Sequence, residues 1–194
     1  KAEQQLELIG ARTHELVNLQ YSTYNRSLLA ALKQQGLQVI CEHEELSEKD
    51  GAFVDQFFRE DVYPVLTPMA VDSSRPFPLI RNKSLNIAAL VQKKDSEEEE
   101  LEFAMVQVPS VLPRIVELPE GADGERRVIL LEEIIERNMK DLFLNYNIVS
   151  AHPFRIMRNA DFTLDEEEAE DLLEEIQKQL KKRQWGEVIR LEVE

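Results

Sequence analysis

The first 35 residues constrain this chain most, because they carry the periodicity of a single long helix. Their apolar side chains recur at spacings of three and four, which places them along one helical face. These side chains are Leu6, Ile9, Leu16, Val17, Tyr24, Leu28, Leu29 and Leu32. Gly36 follows, in the position where a left-handed residue commonly ends a helix. A helix of this length in a chain of 194 residues extends beyond the domain it serves, so we expect it to bridge to another part of a protein.

Strand and helix patterns alternate after this first helix. Ser47, followed by Asp50, predicts a capped helix start, and residues 85–92 and 101–108 predict an antiparallel hairpin with a charged tip. Further predicted segments are strands at 37–41 and 113–118 and a strand passing into a helix over 127–143. The predicted fold class is α/β (α+β mixed), with helices packed on a mixed sheet and one long helix in front.

The last fifty residues predict a strand, a helix and a second strand. Residues 146–156 have the strand pattern, and Pro153 within them indicates a bulge or an edge position. Residues 165–183 carry the clearest helical stripe of the chain, acidic at the start and basic at the end, as the helix dipole favours. Because residues 188–193 form the final strand, we expect a right-handed crossover that joins two parallel strands.

Residues 63–80 form a proline-rich connection. Pro64, Pro68, Pro76 and Pro78 fix φ and remove amide donors, so the segment is neither a helix nor a central strand. Its many apolar side chains predict an ordered, packed connection rather than a flexible linker.

Composition excludes several classes of protein. Lys and Arg number 23 against 38 Asp and Glu, for a net charge of −15, which is a poor match for nucleic acid. No apolar run approaches the roughly 20 residues of a membrane span. The chain opens in a helical pattern rather than a secretory signal, and its single cysteine, Cys41, fits a reducing compartment. We therefore expect an acidic, soluble, cytoplasmic protein.

Residues that carry chemistry are sparse. None of the three histidines, His14, His43 and His152, has a second ligand at metal-binding spacing, and the chain has no glycine-rich phosphate loop. The carboxylates of 165–175 form a solvated face, which does not separate two pKa values as acid–base catalysis requires. The residues themselves therefore predict no catalytic, cofactor-binding or metal-binding site.

Four arginines are the candidate site residues, because cations are scarce in this chain. Arg75 and Arg81 flank the proline-rich connection, and Arg155 and Arg158 lie three positions apart on the predicted strand. Two interpretations remain open. The arginines either pair with local carboxylates, or contact a phosphate chain or the acidic edge of a neighbouring domain.

Several long motifs resemble the bacterial polyphosphate kinase family, in the same order. They are FFREDVYPVLTPMAVD at 57–72, RPFP at 75–78, SLNIA at 84–88, HPFRIMRNAD at 152–161, DEEEAEDLL at 165–173 and VIRLEV at 188–193. The resemblance covers essentially the whole chain, least clearly at 93–101 and 120–126.

The resemblance implies a part of an enzyme. Family members transfer the terminal phosphate of ATP reversibly to polyphosphate, through a phosphohistidine and with magnesium. Residues 1–36 then correspond to the end of the N-terminal helical domain. Residues 37–194 correspond to the head domain, which dimerises and borders the channel to the active site. The expected partners are a second copy and the N- and C-terminal domains, with ATP and polyphosphate as substrates of the intact enzyme.

The resemblance assigns no catalytic residue to this chain. The family's phosphohistidine, magnesium-binding residues and nucleotide contacts lie in other domains, and His152 is not the phosphohistidine. The net charge of −15 agrees, because a site for ATP and a polyanion needs cations. We expect the 194-residue chain alone to be inactive. The alternative is a free-standing dimerisation module without kinase activity.

Overall fold

A computed structural model describes residues 1–71, 77–94, 100–119, 124–159 and 186–193. The chain divides into two compact units. The first comprises Lys1–Phe53 and Ile115–Leu130, and the second Val54–Arg114 and Leu131–Glu194. Within the described residues, no helix combines the length and the apolar character needed to cross a membrane.

The first unit begins with the predicted long helix. Helix α1 spans Ala2–Thr23, a π turn follows at Tyr24–Leu28, and α2 spans Leu29–Gln34. Gly36 has φ +79°, which confirms the predicted left-handed end. None of the residues in these three helical segments is buried, so the apolar side chains of α1 face outward.

A three-stranded mixed sheet completes the first unit. Its strands are β1 (Leu37–Ile40), β5 (Ile115–Glu117) and β6 (Arg126–Leu130), in the order β1-β6-β5. β6 pairs parallel with β1 and antiparallel with β5. Ile129 in the central strand is fully buried, as expected for the middle of a small sheet.

The second unit contains a five-stranded antiparallel sheet in the order β2-β4-β3-β7-β8. Its strands are β2 (Pro68–Val71), β3 (Leu85–Lys93), β4 (Leu101–Gln107), β7 (Tyr146–Arg158) and β8 (Val188–Val193). β3 and β4 form the predicted hairpin. The α/β fold class is confirmed, with the strands divided between two sheets.

The predicted parallel crossover is wrong, because β8 pairs antiparallel with β7. Phe154 lies opposite Val193, and Ile156 lies opposite Leu191. The chain therefore returns beside the strand it left, so the two strands run in opposite directions. The helix predicted at 165–183 lies outside the described residues.

Pro153 occupies a position with a described strand on one side only. It lies opposite Ile87 of β3, whereas the pairing with β8 begins one residue later, at Phe154. Its missing N–H is therefore tolerated within a long strand, which agrees with the predicted edge position.

Two short helices lie on one face of the five-stranded sheet, next to a π turn. Helix α3 spans Glu48–Phe57 and continues through a π turn at Phe58–Val62, and α4 (Leu131–Arg137) and α5 (Met139–Leu142) follow β6. Helix α4 contacts β3, β7 and the π turn, and α5 contacts β7. The fully buried side chains include Phe58, Val62, Ile87, Val91, Val106, Leu131, Ile134, Ile135 and Met139.

A smaller apolar cluster lies on the other face of this sheet. Ile80, Met105, Phe154 and Ile156 are buried there. Phe77 stacks on Phe103 of β4 at a ring-centroid distance of 5.4 Å. At the end of the proline-rich connection Ile80 is buried, whereas Phe77 and Leu79 are about 60% exposed, and residues 72–76 lie outside the described part.

Candidate functional site

The turn over residues 81–84 carries Arg81, one of the exposed candidate arginines. The Ser84 backbone N–H donates to the Arg81 carbonyl at 3.2 Å, and the Ser84 hydroxyl donates to the same oxygen at 2.9 Å. Lys83 has φ +60°, a conformation that this tight turn imposes on a non-glycine residue. Arg81 is exposed, and its guanidinium has no hydrogen bond or ion pair with another described residue.

Two hydrogen bonds attach this turn to the end of β7. The Lys83 backbone N–H donates to the Ile156 carbonyl at 2.8 Å, and the Arg158 backbone N–H donates to Asn82 Oδ1 at 2.9 Å. The turn therefore has a defined position beside Arg158, which the sequence separates from it by more than seventy residues.

Arg158 connects three segments of the second unit. Its Nε and Nη2 donate to the Ile80 carbonyl at 3.1 and 3.0 Å, and its Nη1 donates to the Gly186 carbonyl at 2.8 Å. All three hydrogen bonds end on backbone carbonyl oxygens. Arg158 therefore does not pair with a local carboxylate here, as one of the two interpretations expected. The contacts make Arg158 a positioning residue that joins the start of the 81–84 turn to the entry of β8.

Arg155 has the local carboxylate partner that one of the two interpretations predicts. Its Nε donates to Glu192 Oε2 at 2.8 Å, and Arg190 Nε lies 3.2 Å from the other oxygen of the same carboxylate. Side chains alternate along a strand, so Arg155 and Arg158 lie on opposite faces of β7. The three described arginines therefore do not converge on one point, and Arg75 lies outside the described residues.

An apolar groove of about 450 Å³ opens beside Arg158. Its lining residues are Phe77, Pro78, Leu79, Ile80, Phe154, Ile156, Arg158, Val188 and Leu191. No local pattern in the sequence indicates this groove, because three segments that are distant in the chain form it. The alternating Phe154 and Ile156 were the available signal, but nothing in the sequence paired them with β8.

Two buried or half-buried ion pairs were also missed. In the first unit, both terminal nitrogens of Arg127 donate to the carboxylate of Asp50, whose side chain is 2% exposed. In the second unit, Arg137 Nε donates to Asp55 Oδ1 at 2.8 Å. The hydrogen bond from Arg137 is the main reason that the pKa of Asp55 lies below its ordinary value. Each pair joins residues that are far apart in sequence, so no local motif reveals it.

The histidines form no constellation in the described residues. His14 and His152 are exposed, and His43 Nε2 lies 3.3 Å from Glu44 Oε1. Across the described part of the chain, no three His, Cys, Asp or Glu side chains are grouped closely enough to hold a metal ion.

Comparison with known proteins gives a consistent result. A family profile described as "Polyphosphate kinase middle domain" matches residues 49–194. The polyphosphate kinase of Halalkalibacterium halodurans is 47% identical over 192 residues, covering 99% of this chain and 27% of that protein. The polyphosphate kinase of Exiguobacterium sibiricum is 48% identical over 192 residues, covering 99% of this chain and 26% of that protein.

A solved structure agrees with the sequence comparisons. The crystal structure of polyphosphate kinase from Porphyromonas gingivalis superposes with a TM-score of 0.71 at 25% identity, covering 78% of this chain and 25% of that one. This chain thus spans about a quarter of the length of these three proteins.

Proposed function

Since this chain belongs to the polyphosphate kinase family, we propose that it is the middle part of an enzyme that reversibly transfers the terminal phosphate of ATP to polyphosphate. The observation that carries the proposal is the extent of the match. Relatives named polyphosphate kinase align with 99% of this chain at 47–48% identity, yet only about a quarter of each relative is covered. The remaining three quarters then supply the phosphohistidine, the ATP site and the magnesium site, and this chain alone is inactive.

Residues 1–36 form the end of an N-terminal helical domain in this proposal, and residues 37–194 form the head domain. The absence of any buried residue in α1 supports the first assignment, because Leu8, Ile9 and Leu19 are all more than 60% exposed. Apolar side chains on more than one side of a helix are typical of helices buried among others. A single cysteine, Cys41, without a disulfide supports a cytoplasmic location.

Arg81 is the described arginine that we assign to polyphosphate. Its guanidinium is exposed, and Lys83 on the same turn adds a second exposed cation. Arg155 is paired with Glu192, and Arg158 donates to the carbonyls of Ile80 and Gly186, so we assign neither of them to polyphosphate. Arg75 stays a candidate contact.

A chimeric enzyme tests the proposed function. The segment of the H. halodurans enzyme that aligns with this chain is replaced by residues 1–194, and ATP-dependent polyphosphate synthesis is measured. We expect the chimera to be active and the isolated 194-residue chain to show no turnover. A folded but inactive chimera would contradict the proposal, and turnover by the isolated chain would contradict the assignment of catalysis to the remaining domains.

The arginine assignment is tested in the same chimera. Arg81→Ala is expected to raise the KM for short-chain polyphosphate several-fold at low salt, with a smaller effect at high salt because surface charges are screened. Lys140→Ala, which removes an exposed cation from α5, is the matched control. Equal KM values for the two variants would exclude Arg81 as a polyphosphate contact.

A further inference from the structure

Asn86 is a buried polar side chain near the start of β3. The residue is 1% exposed and lies opposite Phe154 of β7 and Gln107 of β4 in the sheet register. Burial of an amide side chain is unfavourable unless its polar atoms are hydrogen-bonded. Asn86 Nδ2 donates to the Ser84 carbonyl oxygen at 2.9 Å and to the Ser84 hydroxyl oxygen at 3.1 Å. Both hydrogen bonds end on Ser84, so the buried amide stabilises the 81–84 turn.

Ser84 connects this buried amide to Arg81. Its hydroxyl accepts the hydrogen bond from Asn86 and donates to the Arg81 carbonyl at 2.9 Å. On the other side of the turn, Asn82 and Lys83 are hydrogen-bonded to the end of β7. The turn is therefore held by β3 and β7 together, and each of its four residues takes part in a hydrogen bond.

Lys83 has a backbone conformation that glycine would adopt at lower cost. Its φ of +60° makes it the one non-glycine residue with a positive φ in the described part of the chain. Residues in such conformations persist where the surrounding structure over-determines them, and they cluster at ligand-binding sites. The Lys83 side chain is exposed, as is that of Arg81 two residues earlier. The turn thus keeps a cation at a position where its backbone alone would favour glycine.

We infer that Asn86 is a positioning residue for polyphosphate, and that Lys83 is a second polyphosphate contact beside Arg81. Asn86 acts through Ser84 and fixes the turn, so that the two exposed cations are presented together. Phosphate groups accept charge-assisted hydrogen bonds from both Lys and Arg. Two cations on a preformed turn lose less conformational freedom on binding than the same cations on a mobile loop. The inference rests on the proposed function, which assigns Arg81 to polyphosphate.

Equilibrium binding of short-chain polyphosphate to the 194-residue chain tests the positioning role. At low salt, Asn86→Ala is expected to raise the Kd several-fold. The matched control is Asn138→Ala, which removes another buried asparagine of the same unit, one whose Nδ2 donates to the Ile134 carbonyl at 2.9 Å. It should destabilise the chain similarly in urea unfolding but leave the Kd unchanged. Ser84→Ala, at a partly exposed position, should reproduce the loss of affinity even if Asn86→Ala does not fold.

Lys83→Gly separates the charge of this residue from its conformation. Glycine adopts a positive φ without strain, so the variant should keep the turn while losing the ammonium group. We expect a several-fold higher Kd without a lower unfolding midpoint, and Lys83→Arg should restore most of the affinity. In the Lys83→Gly background, Asn86→Ala should raise the Kd by a smaller factor than in the unmodified chain, because one of the two positioned cations is gone.

The chimeric enzyme supplies a second readout. Asn86→Ala should raise the KM for polyphosphate several-fold and leave the KM for ATP unchanged, because the turn presents its cations to the polyphosphate chain alone. Asn138→Ala should change neither constant. A parallel rise in both KM values for Asn86→Ala would show a general structural role and would overturn the inference.

The binding measurements overturn the inference in three further cases. These are no polyphosphate binding by the unmodified chain at low salt, equal Kd values for Asn86→Ala and Asn138→Ala, and an unchanged Kd for Lys83→Gly. Any of these results with an active chimera would overturn this inference alone. An inactive chimera, combined with the selective loss of binding in the 194-residue chain, would overturn the proposed function alone.

Discussion

The ion pair between Asp50 and Arg127 supports a quantitative prediction about stability. The Asp50 carboxylate is 2% exposed and also accepts the Ser47 hydroxyl at 2.7 Å. The Arg127 side chain is 18% exposed, and without Asp50 it would keep only the Pro119 carbonyl at 2.9 Å. We predict that Asp50→Ala lowers the free energy of unfolding by about 3–5 kcal/mol, because it leaves a buried charge without its partner.

Substitution of the partner residue, Arg127, allows a double-mutant cycle. Arg127→Met leaves the Asp50 carboxylate with the Ser47 hydroxyl alone and should cost a similar ~3–5 kcal/mol. The double variant removes both charges, so its loss should be smaller than the two single losses added together. We expect a coupling free energy of at least about 2 kcal/mol between the two sites.

Urea unfolding at pH 7, followed by circular dichroism, measures all three variants. The neighbouring residue supplies the control, because Arg126 donates to Glu117 at 2.9 Å on the surface of the same sheet. Exposed pairs contribute little, so Arg126→Met should leave the unfolding midpoint unchanged within error. The reasoning fails if Asp50→Ala behaves like Arg126→Met, or if the two single losses simply add.

Two further predictions concern a titrating carboxylate and two glycines. Arg137 lowers the pKa of Asp55, so this pair stabilises the fold fully above the ordinary aspartate pKa of about 3.9 and loses its contribution as pH falls through the lowered value. Asp55→Asn should therefore lose less stability than the unmodified chain when urea unfolding is repeated from pH 5 downward, and identical acid sensitivity would contradict this. A Cβ on Gly186 would lie 2.2 Å from the Asn159 carbonyl oxygen, so Gly186→Ala should cost about 1–3 kcal/mol. A Cβ on Gly10 would have no atom within 4 Å, so Gly10→Ala should raise the free energy of unfolding by ~0.5–1 kcal/mol. Equal thermal unfolding of the two variants would contradict both glycine predictions.

Local patterns in the sequence were sufficient for the individual elements. The helix that ends at Gly36 and the hairpin of β3 and β4 follow from apolar spacing and from one glycine, because each depends on residues close together in the chain. The proline-rich connection was predicted for the same reason, since Pro68 restricts β2 to an edge.

Long-range pairing was not predictable from these patterns. A segment of the length between β7 and β8 suits a parallel crossover and an antiparallel return equally, and only the register of Phe154 against Val193 distinguishes them. The candidate arginines show the same limit. Their positive charges are visible in the sequence, but the Glu192 partner of Arg155 and the Ile80 carbonyl bound by Arg158 lie 37 and 78 residues away.

The π turn at Tyr24–Leu28 has a consequence for the evolution of the long helix. Such a turn commonly holds one residue more than the α-helical path requires, and one residue corresponds to a rotation of about 100°. Deletion of a single amino acid here would restore a regular α-helix. Every side chain of α1 would then be rotated about the helix axis by about 100° relative to α2 and β1, which would keep their positions. A change of one residue in this turn would thus determine which face of α1 packs against neighbouring elements.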